Sequence, residues 1–247
     1  MRQKTAAIIV IGNEILTGKS QDQNASFLIK ELYKLGVALR YIVIIPDDIE
    51  EIAKAVREAS EKFDYVFTSG GVGPTHDDLT IPGIARALNR EVVRHRELES
   101  LIRGYFADSV DEPRLRLADA PAGSTLLYGK DLGWPVLTTE NVYILPGVPE
   151  YFRRKFEAIS EGFRGEPFYV CEIYTLEEEL DIAERLDEVA ALYKDVEIGS
   201  YPVFSCDDYR VKVTVESKEV AAVERARDAL SARLKAEQLV KTESNYE

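Results

Sequence analysis

With 247 residues, 45% of them apolar, the chain is long enough to bury a proper core, either as one large domain or as a medium domain beside a small one. That composition excludes a disordered or fibrous protein. A formal charge of −13 excludes nucleic acid and anionic membrane as bulk partners, because the electrostatic term would be repulsive over most of the surface, while a local pocket for a small anion is still allowed.

The opening "MRQKTAAIIVIGNE" places charge before an apolar run in the manner of a signal peptide, but the run from Ala6 to Ile11 is short and ends at Asn13 and Glu14. It reads better as a first buried strand. "NASFLIKELYKLG" then sets Ala25, Leu28, Ile29, Leu32 and Leu35 at helical spacing, with Gly36 to close the helix. "VALRYIVII" supplies a second strand, "DIEEIAKAVREAS" a helix with Asp48 and Glu51 placed as a capping box, and "DYVFTS" a third strand. Strands apolar on both faces and separated by helices imply a parallel sheet covered on both sides. Beyond them "TIPGIARALN" reads as a helix capped by Thr80 and entered by Pro82, and "HRELESLIRGYF" as another. Residues 113–141 read as a loop-rich excursion with short strands, after which "NVYILPGVPEYFRRKF" repeats the plan of strand, glycine turn and helix.

"FRGEP", 163–167, marks a boundary between residues 1–165 and a second domain over 166–241. The later segments run strand, helix, strand, strand, helix, strand, which predicts a small ferredoxin-like α+β domain. The glutamate-rich face from Glu177 to Glu188 reads as solvated surface, and residues 242–247 as a mobile tail. No apolar run approaches the ~20 residues needed to span a bilayer. Cys171 and Cys206 form no CxxC or Cys/His cluster, so the expectation is two reduced thiols in a cytoplasmic protein.

Chemistry concentrates where strands meet helices. A parallel sheet binds ligands beyond the carboxyl ends of its strands, and "TSGGVGPTHDDLT" stands at such an end. Gly70, Gly71 and Gly73 let backbone N–H groups approach an anion, yet neither GxGxxG nor GK[ST] spacing is present. Asp77 and Asp78 would repel a phosphate unless a cation sat between them, and hard oxygen donors suit a divalent ion. Glu14 follows strand one, Asp22 and Asn24 open the next helix, and Asp47 follows strand two; for Asp22 and Asp47 the alternative role is that of a helix cap. His76 offers a base or a donor, and Lys19 and Lys130 could meet phosphates.

Taken together, "GNEILTGKSQDQN", "IPDD", "TSGGVGPTHDDLT" and "LPGVPE" resemble the molybdopterin-binding domain family, in particular the branch of competence-damage-inducible protein A (CinA). "IGSYP" followed by "YRVKVTVES" is similar to the corresponding region of FAD synthase. The resemblance implies a three-layer α/β/α domain with a mostly parallel sheet. It also implies that the glycine loop (Ser69, Gly70, Gly71, Gly73, Pro74, Thr75, His76, Thr80) and the second turn (Pro146, Gly147, Pro149) bind a pterin or nucleotide phosphate, with Glu14, Asp22 and Asn24 completing a polar wall. Asp47 and Asp78 match the functional carboxylate pair, and Asp77 with Asp78 would hold Mg²⁺, Mn²⁺ or Co²⁺. The implied activity is metal-dependent cleavage of ADP-ribose- or FAD-like phosphoanhydrides in a homodimer or homotrimer. The alternatives are a molybdopterin or nucleotide binding module without hydrolysis, or a molybdopterin adenylyltransferase. Val72 stands where cofactor-assembly relatives carry Thr, and the sequence in hand carries neither CinA's amidohydrolase domain nor the adenylyltransferase domain of FAD synthase, so neither NMN deamidation nor FAD synthesis is expected of it.

Overall fold

The structure of the protein, a computed structural model, describes residues 2–129 and 132–246. Two compact units divide after Gly165. The first runs β1 (Thr5–Ile11), α1 (Asn13–Leu16), α2 (Asn24–Lys34), β2 (Ala38–Ile45), α3 (Ile49–Lys62), β3 (Tyr65–Ser69), α4 (Thr80–Ala87), β4 (Val92–Arg94), α5 (Arg96–Phe106), α6 (Glu112–Leu115), β5 (Asp119–Pro121), β6 (Thr125–Leu127), β7 (Val136–Thr139), β8 (Val142–Leu145) and α7 (Pro149–Ile159). Among the described residues its main sheet has the order β2-β1-β3-β8-β7-β6. The first four of these strands are parallel, and β7 pairs antiparallel with β8 on one side and β6 on the other, so β7 alone runs in reverse. A short ribbon of β4 and β5, which the sequence pattern does not announce, stands apart.

Strand β1 shows why the sheet is covered on both faces. From Ala6 to Ile11 no residue is more than 3% exposed. Ala6, Ile8 and Val10 face one core, with Leu28 and Leu32 of α2 and Phe152 and Phe156 of α7, while Ala7, Ile9 and Ile11 face a second, with Ile52 and Val56 of α3 and Ile84 of α4. Period-2 alternation thus feeds two helical layers. Strand β2 departs from the expectation of burial on both faces. It is an edge strand, so Tyr41, Ile42 and Ile44 are left 40–46% exposed.

Local signals set the helix ends. Gly36, at φ 74°, donates to the Tyr33 carbonyl while Val37 donates to that of Leu32, a paired closure of α2 that needs a left-handed residue at Gly36. Asp48 accepts from the N–H groups of Glu50 and Glu51 at the start of α3. Its own N–H donates to the Pro46 carbonyl, so the reciprocal half of the expected capping box has no donor left to serve. Thr80 is not the cap of α4 but its first residue, and its hydroxyl donates to the Gly70 carbonyl at 2.7 Å.

The second unit comprises β9 (Tyr169–Thr175), α8 (Glu179–Leu192), β10 (Glu197–Pro202), β11 (Val211–Ser217), α9 (Val220–Ser231) and β12 (Leu239–Ser244). Its antiparallel sheet has the order β10-β11-β9-β12, the ferredoxin-like arrangement. Two expectations are corrected here. Thr242, Glu243 and Ser244 are not tail but ladder, pairing with Ile173, Glu172 and Cys171, because β9 would otherwise present an unpaired edge. The Asn245 side chain extends the tie to Val170 and Phe168, and Glu247 lies outside the described residues. Glu177, expected on a solvated face, is 2% exposed. It accepts from Nη1 and Nη2 of Arg185, at 3.2 and 2.6 Å, and from the Lys235 N–H at 2.8 Å. No helix of the described residues is long and apolar enough to cross a membrane.

Candidate functional site

The carboxyl ends of β1, β3 and β8 are pressed together at Gly70. Its φ is 103°, and a Cβ there would stand 2.2 Å from the Ile11 carbonyl oxygen, so a side chain would have to displace the backbone of β1. The Gly70 N–H donates to the Leu145 carbonyl, and a Cβ on Gly147 would come within 3.2 Å of Gly70 Cα. Thr80 closes the loop from the other side, its N–H donating to Gly71 and its hydroxyl to Gly70. Among the described residues the N–H groups of Gly71, Val72 and Gly73 donate to no protein acceptor, which leaves a run of amides free for an anion.

Asn24, only 3% exposed, joins three elements. From the first turn of α2 its Nδ2 donates to Ser69 Oγ at the end of β3 and to the Gly147 carbonyl after β8, both at 2.8 Å. The carbonyl can only accept, so the amide nitrogen must face it, and Oδ1 is left buried without a hydrogen-bond partner. Asp22 accepts from the N–H groups of Asn24 and Ala25 at 3.1 Å and so satisfies the opening of α2. Asp47 accepts from the Asn13 N–H at 2.8 Å and thereby anchors α1, which carries Glu14.

These groups surround a cavity of about 270 Å³ lined by Glu14, Ile15, residues 20–24, Ser69, Gly147 and Pro149, with Val10 and Ile11 as its floor. Of the residues singled out in the sequence, Glu14, Asp22, Asn24, Ser69, Gly147 and Pro149 meet here. Gly70, Gly71, Gly73, Thr80, Pro146 and Asp47 support the cavity from behind or stand beside it, and are not part of its lining. The far half of the glycine loop is separate from the lining. Pro74, Thr75, His76 and Asp77 are exposed, and His76 Nδ1 lies 3.9 Å from Asp77 Oδ1 at a solvated position. Asp78 Oδ2 is occupied locally, accepting from the Thr75 N–H at 2.8 Å and the Thr75 hydroxyl at 2.5 Å.

Among the described residues no three His, Cys, Asp or Glu side chains are grouped closely enough to hold a metal on protein donors alone. The donor set fits a divalent ion only when a ligand completes it: Mg²⁺ takes one or two carboxylates together with phosphate oxygens, and Glu14 and Asp22 are the carboxylates of the cavity. Lys19 is exposed, and Lys130 lies outside the described residues. Sequence reading missed Arg153 of α7, whose Nη2 donates to Gln23 Oε1 at 3.4 Å. The available signal was its position four residues after Pro149, on one helix face.

With this geometry, residues 7–164 match the family described as a probable molybdopterin binding domain, and residues 167–243 match the FAD synthase middle domain. The chain belongs to the molybdopterin-binding domain family. It is 35% identical to a probable FAD synthase of Caenorhabditis briggsae over 93% of this chain and 49% of that protein. It is 37% identical to an Archaeoglobus fulgidus protein over 79% of this chain and 84% of the relative. A crystal structure of CinA, of unknown function, from Thermoplasma acidophilum is 31% identical, with a TM-score of 0.60 over 65% of this chain and 98% of that one. The chain spans about half the length of the FAD synthase relatives it matches.

Proposed function

We propose that the chain binds an ADP-ribose- or FAD-like dinucleotide, or a pterin nucleotide, through its phosphoanhydride and cleaves that bond with the help of a divalent cation. The observation that carries this reading is the convergence of Glu14, Asp22, Asn24, Ser69 and Gly147 around one cavity at the carboxyl ends of parallel strands. The matches to molybdopterin-binding and FAD synthase middle domains support a function on nucleotide or pterin ligands, and hydrolysis is the further step proposed.

In this reading the free amides of Gly71 to Gly73 receive phosphate oxygens. Asn24 Oδ1 accepts from an N–H or O–H of the ligand, which would satisfy the one buried acceptor that the protein leaves unpaired at the cavity. Glu14 and Asp22 would hold Mg²⁺, Mn²⁺ or Co²⁺. When bound, such an ion neutralises phosphate charge and polarises phosphorus toward water. Asp47 keeps Glu14 in place through Asn13, and Asp78 keeps the glycine loop folded through Thr75. Asp77, expected from the sequence as a second metal ligand, stands on the exposed part of the loop outside the lining and is given no role at the ion here. The protein is proposed to work in the cytoplasm as a homodimer or homotrimer.

The test is release of AMP from ADP-ribose or FAD by purified protein with each of the three metals. Activity should vanish with chelator, and Asp47→Asn and Asp78→Asn should each lower it about 10- to 100-fold, as for groups that orient ligands from behind. No metal-dependent product over a broad panel of dinucleotides would sink the enzymatic reading. A binding module without hydrolysis is the second reading, favoured by the engagement of Asp78 Oδ2 with both the N–H and the hydroxyl of Thr75. It predicts saturable binding of the same ligands with no product.

A further inference from the structure

We infer that Arg153 is the anion-recognising group at the mouth of the cavity, held in a resting position on Gln23 and Phe27 until a ligand phosphate takes its guanidinium. The inference rests on the proposed binding of a phosphoanhydride and adds a specificity-determining residue to it. It begins from charge. The lining contains Glu14 and Asp22 but no cationic side chain, so a ligand carrying two phosphates meets repulsion that a divalent ion offsets only in part.

Arg153 stands one helical turn beyond Pro149, which lines the cavity, and so shares its face of α7. The guanidinium reaches back to Gln23, another lining residue, at 3.4 Å, and lies over the Phe27 ring with Cζ 5.6 Å from the centroid. The hydrogen bond is long and its acceptor neutral, which is the weak end of the range. Among the described residues Arg153 has no carboxylate partner, whereas Arg94 is fixed by Glu112 and Asp119, and Arg185 by Glu177. Arg153 is therefore a cation with an aromatic platform and a replaceable acceptor. Exchanging the Gln23 amide oxygen for a phosphate oxygen converts a neutral contact into a charge-assisted one while the stacking on Phe27 is retained. The planar fork suits a phosphate in a way that a lysine ammonium does not.

Arg154 provides the control, since it carries the same charge one residue on and points about 100° away around the helix. Calorimetric titration of the full chain with FAD and ADP-ribose, and with riboflavin and adenosine as their phosphate-free counterparts, separates the contributions. Arg153→Gln should weaken the phosphorylated ligands about 10- to 100-fold and leave the phosphate-free ones unchanged. Arg153→Lys should restore only part of the loss, and Arg154→Gln should change neither class by more than about twofold. Unchanged affinity in Arg153→Gln, or an equal loss in Arg154→Gln, overturns the assignment while leaving the binding reading intact. Failure of the unaltered protein to bind any phosphorylated ligand overturns both.

Discussion

Asn24 illustrates how one amide can decide a local structure. Its nitrogen faces the Gly147 carbonyl, which can only accept, and the same nitrogen donates to the adaptable Ser69 hydroxyl. Asn24→Ala removes both hydrogen bonds at a site 3% exposed and should cost about 2 kcal/mol. Asn24→Asp keeps the shape but turns an oxygen toward the Gly147 carbonyl and buries a charge, so at neutral pH it should be worse than Ala. Chemical denaturation of the three proteins checks the order, and an Asp variant as stable as the Ala variant would contradict this account. The role of Asn24 as a polar residue at a strand-to-helix junction was legible in its position. That Nδ2 bridges β3 and the turn after β8 was not, because the partners lie 45 and 123 residues away. Asp78 shows the converse case. Its motif invites a metal, but Thr75, three residues before it, competes locally for the same oxygen.

At the scale of elements, β1, α2, α3, β3, β8 and α7 could be read because continuous apolar runs and helical spacing coincide with their end signals. Features fixed by distant partners escaped: the β4–β5 ribbon, the edge position of β2, and the continuation of β12 over Thr242–Ser244, which is defined by its ladder to β9. Helix α7 carries a feature of the same long-range kind. Lys155 on its inner side donates to the carbonyls of Trp134 at 3.1 Å and Pro135 at 2.5 Å, and burial pushes its amine down to about 8. The unfolded lysine keeps a value near 10.5, so between those values the unfolded chain binds more protons than the folded one. Stability contributed by this site must therefore rise as pH increases from about 8 to about 10.5, and the charged form is the less favourable one below that window. Comparing thermal midpoints with Lys155→Met isolates the effect from other titrating groups. The difference between the proteins should shift in favour of the unaltered chain across the window, and a constant difference would remove the buried amine as its cause.

At the scale of the molecule, the cavity and the buried ion pair of Glu177 lie in different units with separate cores. Ligand binding stabilises the unit that carries the cavity, by an amount set by ligand concentration over its dissociation constant. Glu177→Gln acts on the other unit, where it leaves Arg185 without its carboxylate, a loss on the order of 3 kcal/mol. Burial alone would raise the Glu177 carboxyl, but the Arg185 guanidinium and the Lys235 N–H outweigh it and hold the group below its ordinary 4.5. Its stabilisation is thus complete above 4.5 and fades as pH falls through the depressed folded value. Calorimetry of the full chain should then show two separable responses. FAD or ADP-ribose should raise the transition of the first unit in both proteins, while Glu177→Gln should lower only that of the second, with the gap closing in acid. Loss of ligand binding in Glu177→Gln, or a gap that persists unchanged into acid, would show that the pair acts on the whole chain rather than on the unit that contains it.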